Sequence, residues 1–172
     1  MNNCFTQINK KSTIRKKLLE FCENGEWVDP PNGTGTFLQK KPSEELIFED
    51  PFLEHVCKNC MSPHGFLYSV TIFMIKPWTH YMLHSDFFRS ASVNLLINDY
   101  TDSISYFKVS DTYNKLHFDI KELQYEQDYY YLFNSKIPHA VTNRNAARYV
   151  LSISLNDDYD TTYKYFNDQL FL

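Results

Sequence analysis

The chain has 172 residues and a formal net charge of −4, with 17 Lys and Arg against 21 Asp and Glu. No sustained basic run supplies the clustered cations that a phosphate backbone demands, so a nucleic-acid partner is disfavoured. At this length one domain can bury about 70% of the surface its unfolded form exposes, and it needs no disulfide framework.

The opening Met1-Asn2-Asn3-Cys4-Phe5 lacks an apolar signal core, and no stretch approaches the roughly 18 apolar residues of a membrane span. These features predict a soluble, intracellular, cytoplasmic protein without a membrane partner. Its four cysteines are then expected as reduced thiols. The 13 Tyr and 14 Phe beside only 4 Gly, with many Asn, Lys and Ile, match the codons of an AT-rich genome such as a virus's and carry no mechanism.

From Ser12 to Asn24 the residues Ile14, Leu18, Phe21 and Cys22 recur at helical spacing, with Ser12 placed to cap the start and Gly25 to end it. The cations Lys10, Lys11, Arg15, Lys16 and Lys17 read as the solvated face of that helix. Asp29-Pro30-Pro31-Asn32-Gly33-Thr34-Gly35 concentrates turn signals and predicts a loop over the site. Pro42-Ser43-Glu44-Glu45 offers an N-cap and first-turn carboxylates, and Asp50-Pro51 starts a second short helix running to about Cys60. The spacing Cys57-x2-Cys60-x3-His64 suggests zinc. A structural zinc site needs four ligands, however, and Cys4 and Cys22 are remote.

Beyond Ser62-Pro63-His64-Gly65 the texture becomes that of strands: Phe66 to Ile75, Ser90 to Ile97, Ser103 to Val109, Lys115 to Ile120, Tyr129 to Phe133 and Tyr149 to Leu155. Short strands without long helices between them predict an antiparallel sandwich or barrel. The expected organisation is a single domain over 1–172. Residues 1–65 would be a helical and loop part packed on the sheet, 66–155 a mainly β sandwich or barrel core, and 156–172 a C-terminal extension.

The chemistry-bearing stretch is His84-Ser85-Asp86, read with His139 in Lys136-Ile137-Pro138-His139. Residues i and i+2 of a strand share a face, and two imidazoles with one carboxylate make the facial triad of a non-heme Fe(II) site. Nine residues after His139, Arg148 opens the run Tyr149 to Leu155. Strand alternation puts Arg148, Val150, Ser152 and Ser154 on one face. Arg144, in the turn-like Thr142-Asn143-Arg144-Asn145, is the weaker alternative.

This order of His-x-Asp, His and Arg resembles the 2-oxoglutarate/Fe(II)-dependent oxygenase superfamily, over about Phe66 to Leu155. The resemblance implies a double-stranded β-helix, the cupin-like jelly roll. It further implies Fe(II) held by His84, Asp86 and His139, with 2-oxoglutarate as cosubstrate bound through Arg148. The activity implied is that of a dioxygenase, most simply a hydroxylase, since halogenation needs the place that Asp86 would fill on iron. Some members carry Arg-x-Ser; here the third place is Val150, so a tyrosine or another polar group must supply that contact. The segment His84 to Asn94 is also similar to the metal-binding segment of the aspartyl/asparaginyl β-hydroxylase group. That likeness gives Arg89 a contact with cosubstrate or a substrate carboxylate and turns Asn94 to the cavity; a surface Arg and a strand amide are the plainer alternative.

His80 and His117 read as structural, and Tyr129 and Tyr131 as the two strand tyrosines able to face the mouth. The substrate, a small molecule or a side chain, has no signal in the sequence, and neither has the oligomeric state. Two rival readings use the same residues: a cupin-like metalloenzyme without 2-oxoglutarate, and a non-enzymatic jelly-roll binding or structural protein.

Overall fold

The computed structural model describes residues 3–30, 37–98, 102–111 and 118–172. The chain opens with strand β1 (Phe5–Lys11), followed by helix α1 (Arg15–Glu23), strand β2 (Phe37–Lys40) and helices α2 (Glu44–Phe48), α3 (Pro51–Asn59) and α4 (Phe66–Ser69). Strands β3 (Val70–Ile75), β4 (Thr79–His84), β5 (Ala91–Leu96), β6 (Ile104–Asp111), β7 (Phe118–Leu123), β8 (Tyr129–Asn134), β9 (His139–Asn143) and β10 (Arg148–Ser154) come next, and helix α5 (Tyr159–Asp168) closes the chain. Two antiparallel sheets result, one ordered β1-β8-β5-β10-β3-β2 and the other β4-β9-β6-β7. The mainly β jelly-roll expectation holds in this form.

The helical N-terminal third does not. β1 and β2 are the two edges of the six-stranded sheet, paired with β8 and β3. Edge strands tolerate polar and charged residues, which is why Phe-Thr-Gln-Ile-Asn-Lys-Lys reads poorly as a strand although Ile8 is fully buried. α1 begins at Arg15 rather than Ser12; Ser12 Oγ accepts from the Ile14 N–H at 3.3 Å, and Ile14 holds the cap position without a side-chain bond. Gly25, at φ 82°, turns the chain just past its end. The stretch from Phe66 divides, its first four residues forming α4 before β3 starts. The loop expected over Pro31 to Gly35, His117 and the first part of the expected strand Lys115 to Ile120 lie outside the described residues.

The larger core fills the space between the helices and one face of the six-stranded sheet. Leu18, Cys22, Ile47, Leu53, Val56 and Phe166 meet Ile8, Ile72, Val93, Leu95, Leu132, Leu151 and Ile153. A smaller cluster of Cys4, Phe107, Leu123, Tyr131 and Phe133 lies on the opposite face, between the sheets. β8 serves both, because alternate residues point to opposite faces: Tyr130 and Leu132 outward to the helices, Tyr131 and Phe133 inward. All four cysteines are buried free thiols. Burial pushes the Cys22 and Cys57 thiols up to about 12 and that of Cys60 up to about 11.

Asp50 ties helices to sheet. Its Oδ1 caps α3 by accepting from the N–H groups of Phe52 (3.0 Å) and Leu53 (3.2 Å). Oδ2 accepts from the Thr13 N–H (2.8 Å), the Thr13 hydroxyl (3.1 Å) and the Tyr130 hydroxyl (2.8 Å). The residue is only 1% exposed, so the carboxylate's removal strands several buried donors. Asp50→Ala should cost about 3–5 kcal/mol by urea denaturation, and Tyr130→Phe about 1–2 kcal/mol, since the second change leaves a carboxylate that retains four donors.

Candidate metal centre and cosubstrate pocket

His84 ends β4 and His139 opens β9; the strands pair so that these residues are directly opposite, with ring centroids 4.4 Å apart. Each Nδ1 faces a backbone carbonyl two residues earlier, Met82 O at 2.8 Å and Ile137 O at 2.9 Å. A carbonyl only accepts, so each neutral ring carries its hydrogen on Nδ1 and leaves the Nε2 lone pair free, the tautomer that a metal-ligating imidazole needs. Nothing in the sequence marks Met82 and Ile137 as the carbonyls that select it.

Asp86 is not on the strand with His84. The β4–β9 register shifts between Tyr81 and His84, and the chain leaves the sheet at Ser85. Strand alternation therefore does not place the carboxylate. Backbone clamps do: the Asp86 N–H donates to Ser135 O at 2.9 Å, while Lys136 Nζ donates to the carbonyls of Asp86 (3.0 Å) and Phe87 (3.1 Å). Asp86 Oδ1 stands 3.7 Å from His84 Nε2, and Oδ2 accepts from Arg89 Nε at 2.6 Å. One ligand atom each from His84, Asp86 and His139 lies within 4.8 Å of the others. Among the described residues no other group of three metal-capable side chains converges, so Cys57, Cys60 and His64 form no such centre.

Burial opposes the ionised form of Asp86, but the charge and hydrogen bond of Arg89, with the two imidazoles, outweigh it and hold the carboxyl below its ordinary value. Burial lowers the His139 imidazole, against the smaller opposing effects of the Ile137 carbonyl and Asp86. At neutral pH the pair therefore presents a carboxylate and a neutral imidazole.

Arg148 enters the same cavity from β10 and is 2% exposed. Its Nη1 donates to Ser105 Oγ at 2.7 Å and Ser103 Oγ at 3.1 Å, and its Cζ lies 5.2 Å from the Tyr125 ring centroid. Nε has no partner among the described residues. Burial pulls the guanidinium below its ordinary value and pushes the Tyr125 hydroxyl above its own, each partly offset by the other. Ser105 and Tyr125 thus surround the guanidinium where Val150 brings no hydroxyl. Neither carries a sequence signal, since Ser105 reaches Arg148 only through sheet packing and Tyr125 sits in the β7–β8 connection.

The cavity has a volume of about 650 Å³. Arg89 is drawn into it, donating through Nη1 to Ser152 Oγ at 2.7 Å as well as to Asp86, and Asn94 lines it with an amide oxygen that has no partner among the described residues. Arg144 is exposed at a turn, His80 is exposed and bonded to Thr142 Oγ1 at 2.9 Å, and Tyr131 packs in the inner cluster rather than on the cavity wall.

Solved structures that share this fold are prolyl hydroxylases, members of the 2-oxoglutarate/Fe(II) oxygenase superfamily with its jelly roll. The prolyl-4-hydroxylase of Pseudomonas putida matches with a TM-score of 0.62 at 12% identity, covering 90% of this chain and 93% of that one. A prolyl hydroxylase of Trichoplax adhaerens, in complex with a hypoxia-inducible-factor peptide, matches with a TM-score of 0.62 at 16% identity over 91% and 84% of the two chains. The viral collagen prolyl hydroxylase of Paramecium bursaria Chlorella virus-1, in its 2-oxoglutarate complex, gives 0.51 at 11% over 91% and 98%. No family model matches the sequence, and a search of curated proteins finds no relative. The likeness to the aspartyl/asparaginyl β-hydroxylase group gains no support from these neighbours.

The depressed imidazole can be read directly. In metal-free protein the His139 ring proton signals should titrate with a midpoint below 6.5, and Asp86→Asn should lower that midpoint further by removing a charge that favours the imidazolium.

Proposed function

We propose that the chain is an Fe(II)- and 2-oxoglutarate-dependent dioxygenase that hydroxylates its substrate. The observation that carries this reading is the placement of two incomplete sites in one cavity: the convergent His84, Asp86 and His139, and the buried Arg148 with an unpartnered Nε. A cupin-like metal site without 2-oxoglutarate would leave a desolvated guanidinium facing only neutral groups.

His84 and His139 would hold iron through Nε2, with Nδ1 committed to Met82 and Ile137. Asp86 would offer Oδ1, because Arg89 occupies Oδ2 and favours one-oxygen coordination. Arg148 would pair with the far carboxylate of 2-oxoglutarate, its rigid fork matching a carboxylate while Ser103 and Ser105 fix its orientation. When bound, iron and 2-oxoglutarate supply oxygen activation coupled to decarboxylation of the cosubstrate to succinate and CO2. The protein's part is to orient both and to keep water from the reacting atoms. Phe107, Phe133 and Val150 provide the apolar wall for that.

Two variants separate the roles. Asp86→Ala should abolish tight Fe(II) binding. Arg148→Ala should keep metal and lose roughly 100-fold or more in 2-oxoglutarate affinity, the cost of leaving a buried carboxylate unpaired at about 3–5 kcal/mol. Calorimetric titration of the Mn(II)-loaded proteins measures both, and equal 2-oxoglutarate affinity in wild type and Arg148→Ala rejects the oxygenase reading.

A further inference from the structure

Across the six-stranded sheet, Thr71 on β3, Ser152 on β10 and Asn94 on β5 are register partners, so they form one row on the cavity floor. All three are buried. Arg148 lies four residues from Ser152 along β10, about 13 Å away at strand rise. The apolar Val150 and its partner Phe73 stand between them. Asp86 is tied to the row through Arg89, which bridges its carboxylate and Ser152. The metal triad therefore faces two polar regions, the Arg148 pocket on one side and this row on the other.

The row holds two cations of different standing. Arg89 is neutralised by Asp86. Lys41, just past β2, donates its ammonium to the Thr71 hydroxyl and to Val70 O at 3.2 Å, both neutral acceptors, and no carboxylate pairs with it among the described residues. Lys41 is exposed overall, its ammonium end reaching the cavity edge, where partial desolvation lowers its pKa and an incoming anion can meet the charge. At the other end of the row Asn94, 5% exposed, turns an unpartnered amide oxygen to the cavity. A buried acceptor without a donor is costly, and a ligand N–H or O–H would satisfy it. Leu67, Tyr68, Phe87 and Phe88 form an exposed apolar rim.

We propose that Lys41, Thr71, Ser152 and Asn94 form the substrate subsite, and that the substrate carries a carboxylate bound at Lys41 beside an N–H or O–H donor for Asn94. One unpaired ammonium flanked by neutral hydroxyls balances a monoanion; a phosphate would call for more cationic donors. The apolar rim suits a hydrocarbon or aromatic group on the same molecule. This assignment rests on the oxygenase reading for its chemistry, since it places the substrate on the side of the triad away from 2-oxoglutarate.

The test uses Mn(II)-loaded protein saturated with 2-oxoglutarate, titrated calorimetrically with N-acetyl-phenylalanine, its neutral primary amide, and phenyl phosphate. The acid should bind about tenfold or more tightly than the amide, as expected for one charge-assisted contact. Lys41→Gln should erase the preference and Lys41→Arg restore it, with 2-oxoglutarate affinity unchanged in both. Equal binding of acid and amide, an undiminished preference in Lys41→Gln, tighter binding of the phosphate, or no binding of any acid overturns the proposal. If wild type fails to bind 2-oxoglutarate, the oxygenase reading falls, while the acid-to-amide comparison on metal-free protein still decides the role of Lys41.

Discussion

The register of β10 is the constraint on which the rest of the molecule depends. It lies between β3 and β5 inside the six-stranded sheet, and its residues alternate between two incompatible surroundings. Leu151 and Ile153 fill the helix-covered core, while Arg148, Val150, Ser152 and Ser154 face the cavity. A slip of one residue would drive a guanidinium and two hydroxyls into hydrocarbon and bring Leu and Ile to the site. The pairings Arg148 with Ile75, and Ser152 with Thr71 and Asn94, are therefore enforced by the hydrophobic core. Packing on one face sets polar geometry on the other.

Alternation also explains what was legible in the sequence. β5, β8 and β10 are central, rich in β-branched and aromatic residues, and could be recognised from composition. β1 and β2 are edges whose Gln, Asn and Lys side chains meet solvent, so their strand character shows only in their pairing. β4 and β9 carry the two histidines but few buried apolar residues, Met82 and Leu83 being exposed, and periodicity is silent there. Spacing brought His84, Asp86, His139 and Arg148 to notice because each lies near a strand end in a known order. Tyr125, Ser105 and Lys41 reach the cavity from separate elements, and only tertiary structure joins them.

Asp86 shows how a short segment can carry several functions. Within four residues the chain provides a carboxylate, two aromatic rings exposed by 85% and 95% at the cavity rim, and the arginine that neutralises the carboxylate. Burying a lone carboxylate is expensive, and Arg89 offsets that cost locally, so the candidate ligand is ionised before any metal arrives. The electrostatics of the triad are thus preset by the polypeptide.

The buried cysteines have a consequence for a protein proposed to bring iron and dioxygen together. Oxidation by peroxide proceeds through the thiolate, and with burial pushing the thiols up to about 12 at Cys22 and Cys57 that reactive form is scarce at neutral pH. The sulfurs serve as hydrocarbon-like filling among Leu18, Leu53 and Val56. At the cavity mouth the exposed Phe87 and Phe88, rather than any thiolate, would face an oxidant formed there, and the thiols of Cys22 and Cys57 lie in the core behind the sheet.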